Sequence, residues 1–335
     1  MSQLGSLATV AVALMAAATS LSAQTPRLRN LVYDPQKKVW VEQTPPLPGT
    51  PEGDLFIIRR LNAEERYRAA LRAIADFEKC HGKSDPLYPE VILAKAEALI
   101  GREQFDDAHE LLQKFLDEYG GMAITVDALR LEFIIAEAYL GGVKRTVWGV
   151  FRVSAVEEGH KILDEIIADY PDTKLAELAH KAKADRLFRA GEHDLAELEY
   201  ARMLRDYAQS RYQEYALRRA ADSALASFGG VDYDESALIE AQERYNDFRV
   251  RFGSAGDREQ VTVILDSIRQ ARAEKEFRIG EYYERTDHLS SAVFYYQLVL
   301  KEWPDTIAAT KAASRLELLG ASAPVAVTTP STVQP

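Results

Sequence analysis

Six histidines and one cysteine are the residues best suited to chemistry in this chain of 335 residues. His81, His109, His160, His180, His193 and His288 share no spacing that would set two imidazoles on one helix face, and no HExxH occurs. Cys80 stands directly before His81, a pairing that fits a nucleophile or metal ligand only if a second cluster completes it, and none does. With one cysteine, no intramolecular disulfide can form. The chain has no G-x-S-x-G elbow and no phosphate loop. The acidic pairs Asp106–Asp107 and Glu157–Glu158 are adjacent in sequence, so on a helix their carboxylates diverge and cannot grip one substrate. The stretch FGGVDYDES, beginning at Phe228, lacks the ligand spacing of a calcium loop and reads as a connection between helices. The expectation is a protein without catalytic residues, cofactor or metal.

Composition narrows the class further. Lysine and arginine number 41 against 52 aspartates and glutamates, a net charge of −11, so the overall field repels phosphate backbones and no nucleic-acid partner is expected. The adjacent Arg218 and Arg219 read as a solvated helix face. Residues Leu7 to Ala23 are small and apolar and turn polar at Gln24, which reads as an export signal spanning 1–23, or alternatively as an uncleaved anchor. Residues 24–54 hold six of the thirteen prolines and read as a linker, with LVYDPQKKVWVE as a small hairpin about Asp34–Pro35. Residues 321–335 are uncharged and rich in proline and threonine, the composition of a disordered tail.

The elements that would position any site lie between, over residues 55–320. Here apolar and small residues recur on paired helical stripes: Ala184, Leu187, Ala196, Tyr200, Met203, Leu204 and Tyr207 flank a polar turn at Gly191–Glu192. Ala96, Leu99, Ala108, Leu112, Phe115, Leu116 and Tyr119 repeat the pattern, as do Gly280, Tyr283, Ala292, Tyr296, Val299, Leu300 and Trp303. A small residue sits where two helices cross closely, large ones where they wedge apart, and an aromatic closes the second helix. The pattern resembles the tetratricopeptide repeat. Two stretched units (about Val126 to Pro171 and Arg211 to Phe252) and a fragment (Leu55 to Phe77) bring the expectation to five helical hairpins and a fragment. Such pairs must stack to bury both faces, giving an all-α, right-handed solenoid with a concave surface. In DYPDT and EWPDT, Tyr170 and Trp303 close a helix, Pro171 and Pro304 stop it, and an aspartate or threonine caps the next. The insertion Gly141 to Ala155 concentrates Val147, Trp148, Val150, Phe151 and Val153 in a loop-like segment that either covers the solenoid's own ridge or contacts a partner or membrane.

Taken with the order of plain and stretched units, Ala241 to Phe252, the run Glu276, Gly280, Tyr282, Tyr283 and the helix closing in Trp303–Pro304–Asp305–Thr306 resemble the BamD family of outer-membrane assembly lipoproteins, over Leu55 to Leu319. The resemblance implies a periplasmic scaffold, peripheral to the outer membrane and monomeric within a larger complex. Its partners would be the core barrel subunit of the assembly machinery and client β-barrel proteins. It places the docking surface on the last repeat's helices, including Tyr282, Tyr283, Tyr295 and Tyr296, and the client groove in the units around Ala96 and Tyr139, while Trp148 and Phe151 stand as contact candidates from the insertion's own apolar run. Two departures stand out. Tyr295 occupies a position where the family can carry a basic docking residue, and Gln24 follows Leu21–Ser22–Ala23 where the lipid-bearing cysteine belongs. Glutamine forms no thioether, so an unlipidated chain is expected. A periplasmic adaptor for cell-wall enzymes is the second reading.

Overall fold

The protein is described from a computed structural model covering residues 31–34, 39–42, 45–147, 151–230 and 234–321. The signal segment, Gln24, Trp148 and the tail beyond residue 321 lie outside these residues. Two strands, β1 (Leu31–Asp34) and β2 (Val39–Glu42), pair antiparallel with Leu31 opposite Glu42. Thirteen helices are described. They run α1 (Pro51–Ala63), α2 (Tyr67–Cys80), α3 (Tyr88–Ile100), α4 (Phe105–Tyr119), α5 (Thr125–Leu140), α6 (Val156–Asp169) and α7 (Lys174–Ala190). After these come α8 (His193–Asp206), α9 (Gln213–Ala226), α10 (Ser236–Arg251), α11 (Ala255–Arg285), α12 (Leu289–Glu302) and α13 (Ile307–Leu318). Each odd helix packs on the even one after it, each pair stacks on the next, and α13 covers α11 and α12. The core is accordingly a row of clusters along the stack, which is the organisation of a helical-repeat solenoid. No described helix is long and apolar enough to cross a membrane.

Three features differ from the sequence expectation. The fragment at Leu55 is a complete pair, α1–α2, so six hairpins and a closing helix replace five and a fragment. Its first helix starts inside the presumed linker at Pro51, because a helix tolerates proline in its first turn, and Thr50 caps it through the Gly53 amide at 3.1 Å. The loop-like insertion is a second hairpin, β3 (Lys144–Val147) with β4 (Phe151–Ser154), Lys144 opposite Ser154. Arg145 ties it to the helices, donating to Glu158 at 2.9 Å and standing 3.4 Å from Asp106. Finally, the last repeat's first helix begins about twenty residues before the expected Glu276. α11 runs 31 residues, about 46 Å, because neither glycine nor proline interrupts it between Asp257 and Ile279. Its first half buries Val261 and Ile268 against α9 and α10, and its second half buries Ala273 and Phe277 against α12 and α13.

The repeat grammar has a physical content beyond volume. Four fully buried tyrosines each donate a hydroxyl hydrogen bond to a carboxylate on a neighbouring helix: Tyr139 to Asp106 (2.7 Å), Tyr200 to Asp185, Tyr245 to Asp222 (2.6 Å) and Tyr296 to Glu284 (2.7 Å). A buried hydroxyl bonded to a charge is worth about 1.5–3 kcal/mol, and it fixes the register of the helices it joins. Where helices approach most closely, glycine is required. A Cβ on Gly280 would lie 2.7 Å from the Tyr296 ring, and one on Gly159 would lie 3.0 Å from the Ala136 carbonyl. In both PDT stretches the threonine is the cap. Thr173 accepts from the Ala176 amide at 3.1 Å and Thr306 from the Ala309 amide at 3.2 Å, while Asp305 instead pairs with Arg269 at 3.0 Å.

Candidate protein-docking surface

The turn between α11 and α12 builds the most conspicuous surface feature. Thr286 closes α11 by donating to the Tyr282 carbonyl at 3.0 Å, and Asp287 takes a left-handed φ of 64° that an aspartate tolerates. The chain therefore reverses tightly and brings the last turn of α11 beside the first turns of α12. Four aromatic rings meet there in series. Tyr282 lies edge-on to Tyr283 at 5.6 Å, Tyr283 stacks on Tyr295 at 5.5 Å with 13° between planes, and Tyr295 meets Phe294 edge-on at 5.4 Å. Aromatic pairs in these geometries stiffen one another. The two ends of the series face solvent, Tyr282 with 56% and Phe294 with 59% of its surface exposed, and Leu289 adds further exposed apolar area. A broad open cavity of about 750 Å³ adjoins this ledge, lined by Tyr282 and Tyr283 with Glu274, Lys275, Arg278 and Glu281. Rigid aromatics beside mixed charge make a surface suited to a protein partner, with central anchors and a polar rim.

Of the four tyrosines expected to dock a partner, three lie on this ledge and Tyr296 does not. Tyr296 is wholly buried, packs on Phe277 at 5.4 Å, and holds Glu284, which Arg315 grips from the other side at 2.6 and 3.0 Å. Burial and the bond to Glu284 push its hydroxyl up to about 12. The helical period explains the difference, since in the run Phe294–Tyr295–Tyr296 only the third ring points into the stack. Phe294 takes the surface position in place of Tyr296. Phe151 lies in β4, away in sequence from the ledge.

The client groove is expected in the units around Ala96 and Tyr139. Ala96 and Tyr139 are buried core residues. One cavity nearby, of about 370 Å³, lies between α5 and α7, lined by Phe133, Glu137, Lys181, Asp185, Arg189 and Tyr212. Lys181 there lies 4.3 Å above the Tyr215 ring and 2.7 Å from Asp185. Burial would lower its ammonium, but the bond to Asp185 and its charge raise it. Among the described residues no cluster of histidine, cysteine and carboxylates is arranged to hold a metal ion.

Stacked helical hairpins ending in an exposed aromatic ledge define a helical-repeat protein of the kind that binds other proteins. The family described as YfiO, outer membrane lipoprotein, matches residues 150–319, just over half of the chain, and the protein belongs to that family. The matched span takes in β4 and every helix from α6 to α13, and so contains the whole ledge. No curated protein matches. Among solved structures, PilW, a widely conserved type IV pilus biogenesis factor, is 15% identical, with 78% of this chain and 97% of that chain covered and a TM-score of 0.33. A monomeric mutant of IFIT1 with Gppp-AAAA is 11% identical over 81% of this chain and 55% of that chain, with a TM-score of 0.28.

Proposed function

We propose that the protein is a non-catalytic periplasmic scaffold of the machinery that inserts β-barrel proteins into the outer membrane, acting as BamD-like proteins do. The observation that carries this reading is the coincidence of the family match over residues 150–319 with the exposed ring series Tyr282, Tyr283, Tyr295 and Phe294. In this reading the ledge docks the periplasmic part of the core barrel subunit, and the cavity between α5 and α7 receives segments of client barrels. The β3–β4 hairpin, with Phe151 in β4 and Trp148 between its strands, adds a contact near the middle of the stack. Gln24 in place of a lipid-bearing cysteine means that membrane association runs through these partners or through the N-terminal apolar segment.

Gentle extraction of membranes followed by affinity purification of the tagged chain tests the proposal. Recovery of an outer-membrane barrel protein with periplasmic repeat domains supports it. Recovery of cell-wall enzymes alone would sink it and leave the adaptor reading. Metabolic labelling with a fatty-acid probe should leave the chain unlabelled.

A further inference from the structure

Beside the β3–β4 hairpin, one histidine sits among carboxylates from two neighbouring helices. His109 of α4 places Nδ1 2.8 Å from Glu132 of α5, and its Nε2 faces Glu158 of α6 at 3.8 Å. Gln113, one turn further along α4, donates to Glu132 and to Glu165 of α6, both at 3.3 Å. Glu132 is buried, and among the described residues no lysine or arginine pairs with it. Glu158 also takes the Arg145 guanidinium of β3 at 2.9 Å, and Lys161 stands 3.5 Å from Glu165. The other charges of the adjoining helices turn elsewhere. On α3, Glu90 pairs with Arg59, Lys95 with Glu78, and Glu97 accepts from Asn62, all toward α1 and α2. On α5, Asp127 pairs with Arg130 and Glu137 faces the α5–α7 cavity, while Asp164 of α6 pairs with Lys183 of α7.

The protonation state of His109 decides whether this junction is balanced. As imidazolium it donates to Glu132 and turns a positive edge toward Glu158, answering both helices at once. As neutral imidazole it keeps the Glu132 bond alone, and a lone pair then faces Glu158. A buried carboxylate left without a counter-charge is costly. We propose that His109 is a pH-sensitive latch: protonated, it clamps α5 and α6 together across α4, and deprotonated, it lets that junction and the β3–β4 hairpin open more readily. The hairpin shares in this because Arg145 anchors it to Glu158, the carboxylate that His109 faces. Burial would lower the imidazole, but the bond to Glu132 and the charges of Glu132, Glu158 and Glu165 raise it above the ordinary 6.5. Burial also raises the Glu132 carboxyl, against the bond and charge of His109. Both directions share one sign: the folded pair holds a proton to higher pH than the unfolded chain does. The histidine's contribution to stability is therefore complete below about pH 6.5 and is lost as pH rises through its folded value.

The test uses the full chain and two readouts. NMR of the imidazole Cε1–H signals, assigned by the one missing in His109→Gln, should show His109 titrating above about pH 6.5, and Glu158→Gln should lower that midpoint. Hydrogen exchange read by mass spectrometry at about pH 6 and about pH 8, corrected for intrinsic exchange, reports the opening. Peptides from the hairpin and α6 should lose protection as pH rises, by up to about tenfold for each pH unit by which the measured midpoint exceeds 6.5. Peptides from α12 and α13 should not change, and His109→Gln should remove the pH dependence. A His109 ring that titrates at or below 6.5, or protection in α6 and the hairpin that ignores pH, would overturn the latch. A pH dependence that survives in His109→Gln, or a His109 midpoint unmoved by Glu158→Gln, would do so as well.

Discussion

Replacing Gly280 by alanine sets two well-measured effects against each other at one position. In the middle of an exposed helix the change should stabilise by about 1 kcal/mol, because alanine restricts the unfolded chain and favours helix. At Gly280 the added Cβ would lie 2.7 Å from Tyr296 Cε1 and 2.8 Å from Cδ1. The ring cannot retreat cheaply: it is fully buried, packed on Phe277, and held by its hydroxyl to Glu284. Overpacking costs about 1–3 kcal/mol, and losing the bond to Glu284 adds about 1.5–3 kcal/mol if the ring tilts. The overlap outweighs propensity, and the expected result is a net destabilisation of about 1–4 kcal/mol. Because neighbours in a repeat stack share only local interfaces, the damage should be confined to the C-terminal pair. Hydrogen exchange read by mass spectrometry resolves this, with faster exchange in peptides from α12 and α13, by about tenfold for each 1.4 kcal/mol, and no change in α3 to α6. Exchange slowed in α12, as propensity alone predicts, would refute the close-crossing argument.

Thr306→Ala should lose the cap of α13 and destabilise by about 1 kcal/mol in urea melts. Asp305→Ala, which removes only an exposed ion pair, should stay within about 0.5 kcal/mol. Glu199 carries a pH dependence. Burial would raise its carboxyl, but hydrogen bonds and charge from His180, Lys183 and Arg202 hold it down to about 2 from the ordinary 4.5. A depressed carboxylate contributes stability that is present above the unfolded value and lost as pH falls through the folded one. The window is therefore about pH 5 to 2, worth about 3 kcal/mol for this nearly buried group, and Glu199→Gln should flatten the corresponding part of the stability profile. Tyr282→Ala and Phe294→Ala should leave the melting curve nearly unchanged while cutting partner recovery severalfold in pull-downs, since exposed aromatic anchors carry binding energy without supporting the core.

The repeats were readable because their spacing encodes a steric requirement: Ala184 against Tyr200, or Gly280 against Tyr296, are small-to-large pairs that any close helix crossing needs. The capping of α7 and α13 was readable for the same local reason. What escaped depended on context. Pro51 marks a linker or a helix start with equal ease, and only the packing of Leu55 and Ile58 on α2 decides for the helix. The strands about Thr146 and Val153 are four residues each, too short for alternation to stand out in a helical chain. The run from Asp257 to Ile279 permits a long helix, but the two successive clusters that α11 covers lie beyond any local window. At the candidate docking surface the aromatic run was visible, but choosing Phe294 over Tyr296 required knowing which face of α12 meets α11. The charged cluster about His109 was invisible, because Glu132 and Glu158 share no motif with it and reach it only through stacking.

A photo-crosslinking amino acid placed at Tyr282 in cells, at the exposed end of the ring series, tests the proposed scaffold role most directly. The account predicts one dominant adduct with an outer-membrane barrel protein that carries periplasmic repeat domains, lost when Phe294 is also changed to alanine. No adduct at position 282, or adducts with cell-wall enzymes in place of a barrel protein, would contradict it.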